Sequence, residues 1–226
     1  GRSVGSIPLR ETRSSKPDVF IRLSPSAVSL GWVARKTRDS VILCEAAGFD
    51  VVFIETVGVG QSETAVHSMV DIFMLLQISG AGDELQGIKR GIMERADMVV
   101  INKADGENVQ RAKLTQRQIA NALHLFPEPE SGWRPQVLTC SSVEGSGLSE
   151  IWKGVEDFIA FTKKNGFFVS NRRRQNKYWM YESINEALRN SFYRDPNIEA
   201  AIPEMERKVL GDRLSSFVAA KKMIEM

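Results

Sequence analysis

Histidine and cysteine are scarce in this chain, and neither sign of charge is in excess. The two histidines, His67 and His124, lie in helical stretches without metal-ligand partners nearby, which argues against a histidine-built metal centre. The two cysteines, Cys44 and Cys140, fall in apolar helix and strand contexts. They read as buried free thiols of a reducing compartment, not as a disulfide. Thirty Lys and Arg against 28 Asp and Glu leave a formal charge of +2, so no long-range field favours nucleic acid or a membrane surface. No apolar run approaches a membrane span, and no secretory signal pattern is visible. The 226 residues also contain no G-x-x-x-x-G-K-[ST], the loop whose backbone N–H groups and Lys cradle nucleotide phosphates.

What is present is an apolar strand, Val99–Ile101, that runs into Asn102-Lys103-Ala104-Asp105. This is an N-K-x-D tetrad, the pattern with which G proteins read guanine. A carboxylate at its last position accepts both the ring N1–H and the exocyclic 2-amino N–H of guanine. Adenine lacks that donor pair and would leave a buried acceptor unpaired. The Asn braces neighbouring loops and the Lys stem covers the base. Parallel α/β sheets bind ligands outside the carboxyl ends of their strands, which is where the tetrad falls.

Two further strand ends carry matching chemistry. Asp50–Glu55 reads as a buried strand closing on Glu55-Thr56-Val57-Gly58, an E-x-x-G close to the D-x-x-G of G proteins. In such sites the acid, here Glu55, supports Mg²⁺, and the side-chain-free Gly58 lets its backbone N–H approach a γ-phosphate. Pro135–Cys140 reads as a third strand ending in Ser141-Ser142-Val143, a loop able to offer N–H groups to the guanine carbonyl.

Further motifs give a resemblance. Val33–Arg38, Leu43–Asp50, the run Glu55-Thr56-Val57-Gly58-Val59-Gly60-Gln61-Ser62-Glu63 and the run Gly82-Asp83-Glu84-Leu85-Gln86-Gly87-Ile88-Lys89 are similar to the methylmalonyl-CoA mutase-associated GTPases. That family was once described as ArgK, a lysine/arginine/ornithine transport system ATPase or kinase. The resemblance runs from about residue 17 to the C-terminus. It implies a GTP-binding and GTP-hydrolysing metallochaperone that assists adenosylcobalamin loading onto methylmalonyl-CoA mutase, or a related acyl-CoA mutase, and protects that enzyme. The implied cofactors are GTP or GDP and Mg²⁺, with Glu55 at the metal. The catalytic set is Glu55, Gly58, Asp83 and Lys89. Asp83, Glu84, Gln86 and Lys89 fall in a third switch that contacts the mutase. Asn102, Lys103, Asp105, Ser141, Ser142 and Val143 fall at nucleotide-binding positions. The C-terminal arm mediates homodimerisation. The implied compartment is bacterial cytoplasm, or mitochondrial matrix if the source is eukaryotic. Trp32 stands where the family has a Gly, and Gly5–Arg13 departs from the family's switch I.

The expected fold class is α/β: a mostly parallel, doubly wound sheet of the P-loop GTPase type with a helical arm. Residues 1–166 are expected to form the GTPase domain, without its P-loop part, and 167–226 the arm. Strands are expected near 19–22, 50–55, 71–77, 98–102 and 136–140. Helices are expected near 33–47, 63–69, 83–95, 109–125 and 148–164. Tyr178, Tyr181, Ile184, Leu188 and Phe192 share one apolar helical face. Without a phosphate loop, tight GTP binding and hydrolysis by these residues alone are not expected. Two other readings stand beside the GTPase: a non-catalytic dimerisation or partner-binding module, and an ATP-dependent kinase linked to amino-acid transport. The tetrad argues against the second of these.

Overall fold

In the computed structural model, residues 20–22, 30–56, 62–78 and 90–226 are described. The chain divides into two compact units, residues 1–159 and 160–226.

The first unit is built on a parallel sheet of three strands in the order β1 (Met74–Ile78), β2 (Met98–Asn102), β3 (Gln136–Thr139). The register sets Val99 between Leu75 and Val137, and Val100 between Leu76 and Leu138. Successive side chains of β2 therefore enter opposite faces. Val99 and Ile101 join Leu75, Val137, Phe73, Met93 and Ala96 on one side. Met98 and Val100 join Met74, Leu138 and Cys140 on the other. Both faces are covered, which is why β2 is an unbroken apolar run, Met-Val-Val-Ile, with no polar alternation.

Helices supply the cover. Helix α1 spans Leu30–Ala46, α2 Ser62–His67 and the short α3 Arg90–Met93. Helix α4 (Val109–Leu123) places Ala112, Thr115 and Ile119 at helical spacing, and Ala112 and Ile119 lie in the first core. Helix α5 (Leu148–Lys164) lays Ile151 and Val155 on the second face. Gly154, one residue before Val155, lets α5 come close to the sheet. A Cβ there would stand 2.6 Å from Met98 Cε and 2.9 Å from Gln136 Oε1. Phe158 then meets Trp133 edge-on at 5.7 Å.

The second unit contains α6 (Phe167–Tyr193), α7 (Pro196–Leu210) and α8 (Ser216–Ile224). Asp195 caps α7 by accepting the Asn197 and Ile198 N–H groups, and Pro196 opens its first turn, where a missing N–H costs nothing. Ser215 caps α8 by accepting the Val218 N–H. Tyr178, Tyr181, Ile184 and Leu188 are exposed along α6, so the apolar face read from the sequence is not buried within the chain.

Two expected strands are corrected. Residues 51–56 form no strand, and Phe53 is 82% exposed, although Ile54 packs on the first core. An apolar run sets an extended preference, but a strand needs a hydrogen-bonded neighbour, and a parallel one comes from a distant part of the chain. Phe20–Arg22 likewise form no strand. Arg22 instead donates to the Lys36 carbonyl and Ser40 Oγ of α1, at 2.9 and 2.6 Å. Of the helix expected over 83–95, Arg90–Met93 is helical and 83–89 lie outside the described residues. Neither cysteine is in a disulfide, and Cys140 is buried. No described helix is long and apolar enough to cross a membrane.

Candidate functional site

The carboxyl ends of β2 and β3 bring six of the singled-out residues together: Asn102, Lys103, Asp105, Ser141, Ser142 and Val143. β2 closes at Asn102, and the chain leaves it through Lys103 in the left-handed region, φ 60°. A non-glycine residue held there is strained, and strain of this kind concentrates at ligand sites. Asn102 Oδ1 holds the turn. It accepts the Lys103 N–H at 2.7 Å, the Ser142 N–H at 3.1 Å and the Ser142 hydroxyl at 2.9 Å. The Cys140 thiol lies against the same oxygen at 3.6 Å. Burial pushes that thiol's pKa up, so it stays protonated as a donor.

The backbone adds a second tie. Ala104 donates to the Cys140 carbonyl and Cys140 donates to the Ile101 carbonyl, each at 2.9 Å. β2 and β3 are thus stitched one residue beyond the ladder. Asp105 follows, and the Ser141 hydroxyl donates to its Oδ2 at 2.5 Å. Ser141 is fully buried, while Val143 is 90% exposed. Ser141 Oγ in turn accepts the Val143 and Glu144 N–H groups at 3.3 and 3.1 Å. On the other side Asn108 Nδ2 donates to the Lys103 carbonyl at 2.6 Å, fixing the 103–108 turn. Lys103 itself points into solvent-exposed space.

The chemistry of this arrangement is that of a braced acceptor. One Asp105 oxygen is held by a buried hydroxyl, and a carboxylate has lone pairs for several donors at once. A planar ligand edge carrying two N–H groups meets a carboxylate whose orientation is already fixed, so little ordering cost falls on binding.

Of the other expected site residues, Glu55 alone is described. Glu55 is exposed at the end of 51–56. Gly58 and the switch residues Asp83, Glu84, Gln86 and Lys89 lie outside the described residues. Among the described residues there is no group of three or more His, Cys, Asp or Glu placed to hold a metal ion. His67 packs edge-on to Phe73 at 5.9 Å, and a ring nitrogen of His124 lies 3.4 Å from an Arg134 guanidinium nitrogen, ordinary packing and surface roles. A cavity of about 290 Å³ opens away from the tetrad, between α4 and the proline-bearing loop before β3, and none of the tetrad residues lines it.

A parallel α/β sheet with an N-K-x-D tetrad locked at its carboxyl edge defines a protein of the GTPase class. The comparisons narrow it. The family model described as methylmalonyl-CoA mutase-associated GTPase MeaB matches residues 6–197, and the chain belongs to that family. The match reaches further toward the N-terminus than the resemblance from about residue 17. A probable GTPase of Mycobacterium tuberculosis is 44% identical over 229 residues, covering 100% of this chain and 68% of that protein. The mitochondrial methylmalonic aciduria type A homolog of Mus musculus is 43% identical, over 92% of this chain and 50% of its own length. GTPase ArgK of Escherichia coli is 40% identical, over 91% of this chain and 62% of its own length. Among solved structures, an LAO/AO transport system kinase aligns with a TM-score of 0.68 at 36% identity, over 86% of this chain and 62% of that one. The chain therefore spans about two thirds or less of these relatives.

Proposed function

We propose that this chain carries the guanine-reading half of a GTPase that assists adenosylcobalamin loading onto methylmalonyl-CoA mutase. The observation that carries the reading is the bonded set Asn102–Ser142 and Asp105–Ser141 at the ends of β2 and β3. In this reading Asp105 accepts N1–H and the 2-amino group of guanine. The Val143 N–H, which donates to Ser141 Oγ at 3.3 Å, is shared with the base carbonyl, and the Lys103 stem lies over the ring. Family membership and the name of the mouse relative support the mutase as partner.

Glu55 is the proposed Mg²⁺-site acid. Mg²⁺ keeps several waters and takes one or two carboxylates plus phosphate oxygens, so a single exposed carboxylate fits it without a cluster of ligands. When bound with the phosphates, Mg²⁺ neutralises charge that develops on them. Gly58 offers its N–H to the terminal phosphate, and Asp83, Glu84, Gln86 and Lys89 form the segment that answers the partner. Coupling between nucleotide state and partner affinity is then reciprocal. Residues 1–166 serve as the GTPase part and 167–226 as the dimerisation arm, its exposed Tyr178–Leu188 face covered by a second copy. The accompanying compartment is bacterial cytoplasm, or mitochondrial matrix in a eukaryote.

The test is titration of GDP and ADP with Mg²⁺, followed by NMR amide shifts to millimolar nucleotide, because these residues contain no phosphate-loop motif. The reading expects GDP to move the amides of residues 102–105 and 141–143 and ADP to leave them still. Equal responses, or none, overturn it and favour the partner-binding module.

A further inference from the structure

We infer that Gly147 is a positioning residue for base recognition: it seats the 141–146 loop on the end of β3, and with it the side chains that orient Asp105 and Asn102. The inference rests on the proposed guanine reading and adds to it the residue that sets the geometry.

Gly147 has φ 77°, and a Cβ at this position would stand 2.3 Å from the Thr139 carbonyl oxygen, 3.1 Å from Cys140 Cα and 3.2 Å from Cys140 Cβ. The nearest of these atoms is backbone, at the last residue of β3, and that strand is pinned to β2 by the ladder and by the Cys140–Ile101 bond. The strand cannot yield, so the loop must. The loop is a closed ring: the Ser141 N–H donates to the Ser146 carbonyl at 3.0 Å, and the Gly145 N–H donates to the Ser141 carbonyl at 2.9 Å. Gly147 also starts α5, its carbonyl accepting the Ile151 N–H at 3.2 Å. A side chain at 147 therefore lifts Ser146, draws Ser141 away from Asp105 and Ser142 away from Asn102, and leaves the tetrad without its braces.

The chain supplies its own control. Gly145 has nearly the same conformation, φ 75°, but a Cβ there meets nothing within 4 Å. Gly145→Ala imposes the left-handed strain alone, and Gly147→Ala imposes strain plus the clash.

The experiment compares these two variants in two ways. Amide hydrogen exchange in the nucleotide-free chain reads the loop directly. We expect Gly145→Ala to lower protection at Val143, Glu144 and residue 145 by about five- to thirtyfold, the cost of one left-handed alanine. Gly147→Ala removes that protection. Binding of GDP and inosine diphosphate, which lacks the 2-amino group, reads the consequence. Gly147→Ala binds GDP about tenfold or more weakly than Gly145→Ala, the loss expected when a bond to a charged acceptor is misplaced, and its preference for GDP over inosine diphosphate falls toward one. A change that only softened the fold would weaken both nucleotides equally. A glycine inserted after Gly147 adds no side chain yet slackens the connection. It gives the same losses and serves if Gly147→Ala does not fold. Matching protection and matching nucleotide preference in the two alanine variants overturn the inference. Should the unaltered chain fail to distinguish GDP from ADP, the guanine reading falls, and the exchange comparison still decides the role of Gly147.

Discussion

Asp97 gives a stability test whose sign and size follow from its surroundings. It sits immediately before β2, where its Oδ2 accepts the Phe73 N–H at 2.8 Å while its own N–H donates to the Phe73 carbonyl at 2.9 Å. This reciprocal pair ties the start of β1 to the start of β2. The Trp133 indole N–H adds a bond to the Asp97 carbonyl at 3.2 Å. Burial pushes the carboxyl pKa from 3.8 up to about 7, the single N–H bond pulling back only partly. The folded state thus holds a proton that the unfolded chain releases near pH 4. Between the two values the folded form binds more protons, so stability falls as pH rises, by up to about 1.4 kcal/mol per unit. Over some three units that is about 4 kcal/mol at most, and about half that if water reaches the ionised group. The assay is urea denaturation of the unaltered chain and Asp97→Asn between pH 4.5 and 8.5. An amide cannot ionise and still accepts the Phe73 N–H. The variant should be close to the unaltered chain at pH 4.5 and gain on it steadily, ending about 2 kcal/mol or more ahead at pH 8.5. A difference that stays flat with pH, or grows toward acid, refutes the reasoning.

Three other changes have defined outcomes. Ile101→Ala deletes a side chain with no solvent exposure from the middle of the sheet and should cost about 2–5 kcal/mol, read as a lower urea midpoint at unchanged slope. Asp195→Ala removes the acceptor for two N–H groups at the start of α7 and should cost about 1 kcal/mol, seen as faster amide exchange at Asn197 and Ile198 with the β2 amides unchanged. Ser141→Ala leaves Asp105 without its buried donor and should weaken GDP binding about tenfold or more, read as smaller amide shifts of residues 102–105 and 141–143 at the same millimolar nucleotide, while far-UV circular dichroism stays the same.

Much of the fold was legible because it rests on local pattern. β2 and α5 run over the residues that the apolar run and the helical spacing marked, 98–102 and 148–164. The start of α7 is likewise local, a capping Asp195 followed by Pro196 in the first turn. Residues 51–56 were not, because their apolar pattern says nothing about which neighbour completes a ladder. At the site, the tetrad and the serines after β3 could be singled out from their types and order. Their bonding could not: that one oxygen of Asn102 gathers donors from Lys103 and Ser142 depends on the left-handed turn at Lys103. The tight seat of Gly147 is a contact between a loop and a strand end, and the only trace of it in the sequence is the Gly-x-Gly spacing. The burial of Asp97 also comes from tertiary packing, since in sequence it is one more acid before a strand.

The measurement that bears most directly on the central claim is the nucleotide preference of Asp105→Asn. Guanine presents two N–H donors to the carboxylate, whereas xanthine carries a carbonyl in place of the 2-amino group and matches an amide that both donates and accepts. The account predicts that the variant loses GDP binding by about a hundredfold and gains xanthosine diphosphate, with the amides of residues 102–105 and 141–143 responding to the new ligand. Unchanged GDP binding, or equal loss of both nucleotides, would contradict the assignment of Asp105 as the group that reads the base.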